Sequence, residues 1–297
     1  EDYLKDYFVQ RQDSTDVVIT QEDPLLQIPT AYSQMNFMQK VRFKPNEAWD
    51  FQYGFHYSET SPYGRYDRHN RVRNGTARYA EWNYGPQKWM MNNLNIAHEG
   101  KNTFYDQMTL RLAQQSFEES RIDRSLNRED RSTQIENVEA YSVNLDFTKA
   151  FGSRHTLFFG AEYVLNDITS EGLITNISTG EVQKGASRYP QSDWSSAAVY
   201  VNDEFKLTEA FTLQAGLRYN QYAINADFTN NLDFYPFSFS TAETNEGALT
   251  GSLGAVYRPT SSWVISANFG TAFRAPNVDD LGKIFDSEPG AVTIPNP

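Results

Sequence analysis

The sequence predicts an all-β protein, a transmembrane antiparallel β-barrel of about ten strands arranged as five hairpins. Three observations carry that prediction. Short turns recur at a nearly constant interval, apolar residues occupy every second position between them, and aromatic residues gather beside the turns. The turns fall at Lys44-Pro45-Asn46-Glu47, Glu99-Gly100-Lys101-Asn102, Phe151-Gly152-Ser153-Arg154, Leu207-Thr208-Glu209-Ala210 and Arg258-Pro259-Thr260-Ser261, about 53 residues apart. Each is flanked by strands of about 10–14 residues, the length a tilted membrane-crossing strand needs. Tight turns at one end and long polar connections at the other complete the pattern.

Taken in chain order, the first strand begins near Tyr32. Its partner sets Trp49, Phe51, Tyr53, Phe55 and Tyr57 against Asp50, Gln52, Gly54, His56 and Ser58. The alternation weakens between Lys88 and Ala97, where Met90, Leu94 and Ile96 share a face with Lys88 and Asn92. It returns as Tyr141, Val143, Leu145 and Phe147 against Ser142, Asn144, Asp146 and Thr148. The strand from Ala197 to Leu207 carries Val199, Val201 and Phe205 on one face. Phe211, Leu213, Ala215, Leu217 and Tyr219 then oppose Thr212, Gln214, Gly216 and Arg218, and Trp263, Ile265, Ala267 and Phe269 oppose Ser266, Asn268 and Gly270. A side-chain period of two places each set on its own side of the sheet. The polar sets are too rich in Asp, Gln, Asn and Arg to form a packed core, so one face meets an apolar medium and the other meets water. Phe43, Trp49, Phe104, Phe151, Phe211, Tyr257 and Trp263 lie beside the short turns, as an interfacial aromatic girdle requires. A soluble propeller would give a similar period, but its blades divide into four short strands, and each unit here has two long ones.

Composition agrees. Mean hydropathy is −0.64, and no run approaches the roughly 18 apolar residues of a membrane helix. That value does not oppose a barrel, whose strands average out as polar. With no cysteine, disulfides and thiolate metal sites are excluded. Net charge −12 argues against a nucleic-acid partner. Glu1-Asp2-Tyr3-Leu4-Lys5-Asp6 has neither the basic stretch nor the apolar core of a signal peptide, as in a mature or truncated secreted protein and equally in a cytoplasmic one.

Short turns of bacterial barrels lie on the periplasmic side, so the strand near Tyr32 runs inward and the one ending near Arg274 runs outward. Both chain ends then fall in external loops, and Ile294-Pro295-Asn296-Pro297 is unsuited to a closing strand. Ten strands could close a small barrel; these ends favour an internal piece of a larger one. Residues 1–31 are read as an external loop segment, 32–274 as membrane strands with their loops, and 275–297 as the start of another external loop.

The loop from Ser61 to Pro86 holds Arg65, Arg68, His69, Arg71, Arg73 and Arg78 against only Asp67 and Glu81, a basic island in an acidic chain. Guanidinium groups bind carboxylates and catecholates bidentately, so the island suits capture of an anionic ligand. It equally suits a solvated loop paired with acidic neighbours or with lipopolysaccharide phosphates. Trp82, Tyr63, Tyr66, Tyr79 and Tyr84 suit an aromatic ligand or loop packing. His56, His69, His98 and His155 show no metal-ligand spacing, and structural or solvated roles are expected for each. Asp227, Asp233, Glu243 and Glu246 permit calcium binding, although solvation is the plainer reading. Asn277-Val278-Asp279-Asp280 reads as a helix N-cap with Asp280 at the third position. Catalysis would need a nucleophile or an Asp–His pair brought together in one place; His69 is the only histidine in an external loop and nothing marks it out, so no catalytic residue, metal or cofactor is assigned.

Gly270 to Leu281, with Phe273-Arg274-Ala275-Pro276 at the end of a girdle-flanked strand, resembles a motif of TonB-dependent outer-membrane receptors. In that family a long external loop follows and contains Asn-Pro-Asn-Leu, and Pro295-Asn296-Pro297 looks like the approach to it. The hairpin pattern extends the resemblance from about Tyr32 to Arg274. The resemblance implies a 22-stranded barrel around a plug domain that lies outside this chain. It also implies a bacterial outer-membrane location amid lipid and lipopolysaccharide, and active uptake driven through the plug by the TonB–ExbB–ExbD system. If the loop after Arg274 is the family's seventh, Tyr32–Lys44 is the fourth strand and residues 1–31 belong to the second external loop. The expected cargo is an iron complex. Haem receptors of the family commonly place a haem-ligating histidine in the loop after Phe-Arg-Ala-Pro, and residues 277–297 contain no His, Tyr, Cys or Met. A ferric siderophore is therefore expected over haem. Haemoglobin, cobalamin, glycan or peptide uptake, a passive porin and a barrel enzyme are the alternatives.

Overall fold

A computed structural model describes residues 4–283, 285–288 and 291–293. Ten long strands run as a meander: β1 (Gln34–Asn46), β2 (Trp49–Thr60), β3 (Lys88–Glu99), β4 (Gln107–Ser125), β5 (Asp130–Phe151), β6 (His155–Asn176), β7 (Gln191–Lys206), β8 (Phe211–Asp227), β9 (Thr241–Thr260) and β10 (Trp263–Gly270). Each pairs antiparallel with its chain neighbour, in unbroken order from β1 to β10. The short connections, 47–48, 100–106, 152–154, 207–210 and 261–262, overlap the predicted turns; the first and last come later in the chain than predicted, and the second is longer. Gly152, at φ +63°, supplies the left-handed conformation between β5 and β6.

Registers carry the apolar positions across the sheet in rows. Leu145 faces Leu110 and Ala161, and the row continues through Ile96 to Phe51 on one side and through Val199 to Tyr219 on the other. Directly paired residues share a face, so these side chains form one continuous apolar surface. Leu217 (58% exposed), Val199 and Leu249 project outward from it. Charges bracket this surface. On the same face Glu139 and Lys149 delimit residues 140–148 of β5, and Asp193 and Asp203 delimit residues 194–202 of β7. That is the height of a membrane-crossing strand. Near the turns, rings of Trp49, Phe51 and His98, and of Phe104, Phe147 and Phe159, touch at centroid distances of 4.2–5.7 Å and form the girdle.

The opposite face is a ladder of polar pairs. Arg111 bonds Asp146, Arg218 bonds Glu162 at 2.7 Å, and Tyr200 reaches across Gly160 to Asp146. A Cβ at Gly160 would lie 2.4 Å from the Leu145 carbonyl oxygen and 3.0 Å from the Tyr200 hydroxyl, so that crossing needs glycine.

Strands β4, β5, β6 and β9 reach 19, 22, 22 and 20 residues, well beyond the predicted length. Past the apolar band both faces are polar, as in Ser132, Thr133 and Gln134, so no sequence period marks the continuation. These extensions stand outside the membrane and carry everything that follows.

A hairpin of Tyr7–Gln12 and Thr15–Thr20 lies beside them. Its Asp16 accepts two 2.8 Å hydrogen bonds from the Arg124 guanidinium and one of 2.7 Å from the Asn127 amide. The Asp16 and Arg124 side chains are 0% and 1% exposed. Arg124 also donates to Glu81, which Arg131 holds from the other side. Burial alone would raise the Asp16 carboxyl, but the bonds from Arg124 and Asn127 hold it below its ordinary value. Glu81 is lowered against burial in the same way by Arg131 and Arg124.

The sheet is open, and nothing among the described residues pairs with the outer edges of β1 and β10. Each unpaired backbone group held in hydrocarbon costs several kcal/mol. Residues 1–297 refolded alone in detergent should therefore give no compact, protease-resistant monomer on a heat-modifiability gel. A discrete fast-migrating band would show that ten strands suffice.

Candidate functional site

The basic island is not a loop throughout. Tyr79–Tyr84 forms a strand on the outer part of β4, pairing Tyr84 with Arg121 and Trp82 with Asp123. Those pairings put Trp82 and Tyr84 on the same face as the polar ladder, which is the barrel interior. Arg65 lies over both rings, at 5.2 and 5.6 Å, and donates to the Tyr84 hydroxyl at 2.9 Å. Arg68 stands over Trp82 at 5.7 Å, and Arg78 over Tyr79 at 4.8 Å. Flat guanidinium groups stack well on such rings. His69 accepts a hydrogen bond at Nε2 from the Trp82 amide (3.3 Å), and burial pushes its pKa down, so it is a neutral packing group. Arg71 and Arg73 are exposed beside a tight hairpin of Val72–Arg73 and Thr76–Ala77, with no ion pair among the described residues.

The Tyr84 ring leads to the centre of the site. Arg121 stacks on it at 5.6 Å and binds both Glu119 and Glu136, which sit directly opposite each other on β4 and β5. Glu136 is 5% exposed, and its Oε1 has no hydrogen-bond partner. Burial pushes the Glu136 carboxyl up to about 7 against the pull of Arg121, and the Asp123 carboxyl up to about 6. Beside them opens a cavity of about 460 Å³ walled by Phe117, Val138, Ile168, Tyr189 and Trp194.

The segment after β10 closes the far side. Phe273 stacks on Tyr222 (6.5 Å, 16° between planes), and the Arg274 guanidinium donates to both Asp280 oxygens at 2.8 and 2.6 Å. Trp194 Nε1–H donates to the Pro276 carbonyl at 3.1 Å. Asn277 caps the short helix Val278–Gly282 in a reciprocal capping box with Asp280, as the sequence predicts. Val278 and Leu281 pack with Ile224, Ala226, Phe228 and Ala242, while Tyr189 donates to Asp279 at 2.7 Å. Phe273, Arg274, Ala275 and Pro276 thus carry the chain from the wall of the sheet back over its inner face. Pro295 and Asn296 lie outside the described residues.

The family model described as TonB dependent receptor-like, beta-barrel matches residues 22–297. The chain belongs to the TonB-dependent receptor barrels. Similar solved structures agree on the fold. The copper transporter OprC superposes with a TM-score of 0.67 at 11% identity, over 86% of this chain and 38% of its own. The unliganded ferric citrate transporter FecA gives 0.58 at 16% identity (82% and 36%), and the open form of the ferric-catecholate import receptor Fiu from E. coli K12 gives 0.59 at 12% (84% and 48%). The chain therefore spans less than half of each of those proteins. No curated protein matches it.

In this receptor barrel the end of the sheet away from the short turns brings together groups that are distant in sequence. Arg65 and Arg68 join Trp82 and Tyr84, and these meet Arg121, Glu119 and Glu136; Arg71 and Arg73 stay apart at a tip. Glu119, Arg121, Glu136, Tyr189 and Trp194 were not legible as site residues. For Glu119, Arg121, Glu136 and Trp194 the only sequence signal is membership of the interior face, which many other residues share; Tyr189 lies in the bend before β7 and has no such signal.

Proposed function

We propose that this barrel is part of an outer-membrane receptor that takes up an iron complex, a ferric siderophore, across the bacterial outer membrane. It works with a plug domain and the TonB–ExbB–ExbD system and performs no catalysis. In this reading residues 1–31 and 275–297 belong to external loops, and 32–274 to the barrel wall. Arg71 and Arg73 carry the reading. Two uncompensated guanidinium groups at an external tip, above Arg65 and Arg68 on their aromatic supports, form an attractive field for an anion arriving from outside. Arg78 and the neutral His69 hold that loop in place. Two of the similar structures are named for ferric citrate and ferric catecholate import, and one for copper.

The test is binding to the full-length receptor. Charge reversal at Arg68, Arg71 and Arg73 should weaken ferric siderophore binding by an order of magnitude or more at low salt, and flatten its salt dependence. Tight haem binding indifferent to all three substitutions would refute the cargo assignment and leave the receptor family intact.

A further inference from the structure

The cavity beside Glu136 has a chemistry opposite to that of the arginine tip. Its charged lining residues are Glu119, Glu136 and Asp279 against Arg121; Lys283 pairs with Asp279 at 2.9 Å, and Arg188, stacked on Tyr189 at 5.5 Å, is the other cation near Glu136, so Glu136 with its open Oε1 is the acceptor left to a ligand. Its remaining walls are aromatic and aliphatic. The Glu136 Oε1 is sealed from solvent without a partner, and a buried carboxylate oxygen in that state gains a strong bond from any donor that reaches it. Phe117, Tyr189 and Trp194 line the same space, and aromatic rings attract cations.

We propose that this cavity is a second ligand subsite of the receptor, which takes a ring or short alkyl arm bearing an organic ammonium group, with Glu136 as its acceptor. The aromatic walls hold the apolar arm, and Glu119 with Arg121 fixes the Glu136 carboxylate in place. Cargo that satisfies both subsites carries an anionic pole for the arginine tip and an amine-bearing arm for the cavity. The inference rests on the reading of the external end as the place where cargo arrives, but it uses different residues.

The experiment titrates the purified full-length receptor with two probes of the same ring and opposite charge, phenethylammonium and 3-phenylpropionate, by calorimetry. Phenethylammonium should bind and phenylpropionate should not. Glu136→Gln keeps the shape of the side chain and removes its charge, and should weaken the ammonium probe by about tenfold or more. Trp194→Phe keeps an aromatic wall and should weaken it less. Arg71→Glu with Arg73→Glu should leave it unchanged. A heat-modifiability gel confirms that each variant is folded. Equal binding of the two probes, or an unchanged ammonium affinity in folded Glu136→Gln, would overturn the subsite. If ferric siderophore binding ignores the two Arg→Glu changes while the ammonium probe behaves as stated, the arginine-tip reading alone fails.

Discussion

Arg124→Ala should detach the Tyr7–Thr20 hairpin from the barrel extension at a cost of about 3–5 kcal/mol, because it leaves the fully buried Asp16 charged without its guanidinium partner, while Glu81 keeps Arg131. Asp16→Ala should act in the same direction, leaving a guanidinium that is 1% exposed with only Glu81 and the Arg128 carbonyl as partners. Replacing both residues with apolar side chains of similar volume should cost far less than either single change. Limited proteolysis reads the effect as new cleavage between the hairpin and β1, with the barrel band intact. Acid should imitate it. Asp16 is held below its ordinary value of 3.8, so its contribution is complete above that value and is lost as pH falls through the lowered one. Protection of the hairpin that is equal in wild type and Arg124→Ala would show that the ion network does not hold it.

Leu217→Arg should destabilise the full-length receptor by about 2–4 kcal/mol, whereas Gln214→Arg should be nearly silent. Leu217 projects outward midway up the apolar band of β8, between Val201 and Gly251, and an arginine there meets hydrocarbon. Gln214, three residues earlier, faces the interior and donates to Glu204 at 3.4 Å, so an arginine finds water and an acidic neighbour. Unfolding in lipid vesicles measures both. Equal sensitivity at the two positions would mean that both faces are packed as in a soluble sandwich, and the membrane assignment would fall.

The five hairpins, the faces of their strands and the girdle were determined by the sequence alone, because each depends on local chemistry. Gly152 lies in its turn, Pro45 and Pro259 lie at the register shifts just before theirs, and a period of two needs only a neighbour two residues away to declare itself. The cap at Asn277 is equally local, since its partner Asp280 is three residues on. The reach of β4, β5, β6 and β9 beyond the membrane was decided by strand pairing, for which residues polar on both faces give no period. The site belongs to the same class. The apposition of Glu119 and Glu136 is set by the β4–β5 register, Arg65 meets Tyr84 only once Tyr79–Tyr84 joins β4, and Trp194 meets Pro276 across 82 residues of chain. Burial raises the Glu136 carboxyl to about 7 and keeps His69 a neutral ring, and burial is a property of the whole sheet and its returning loops that no single segment carries.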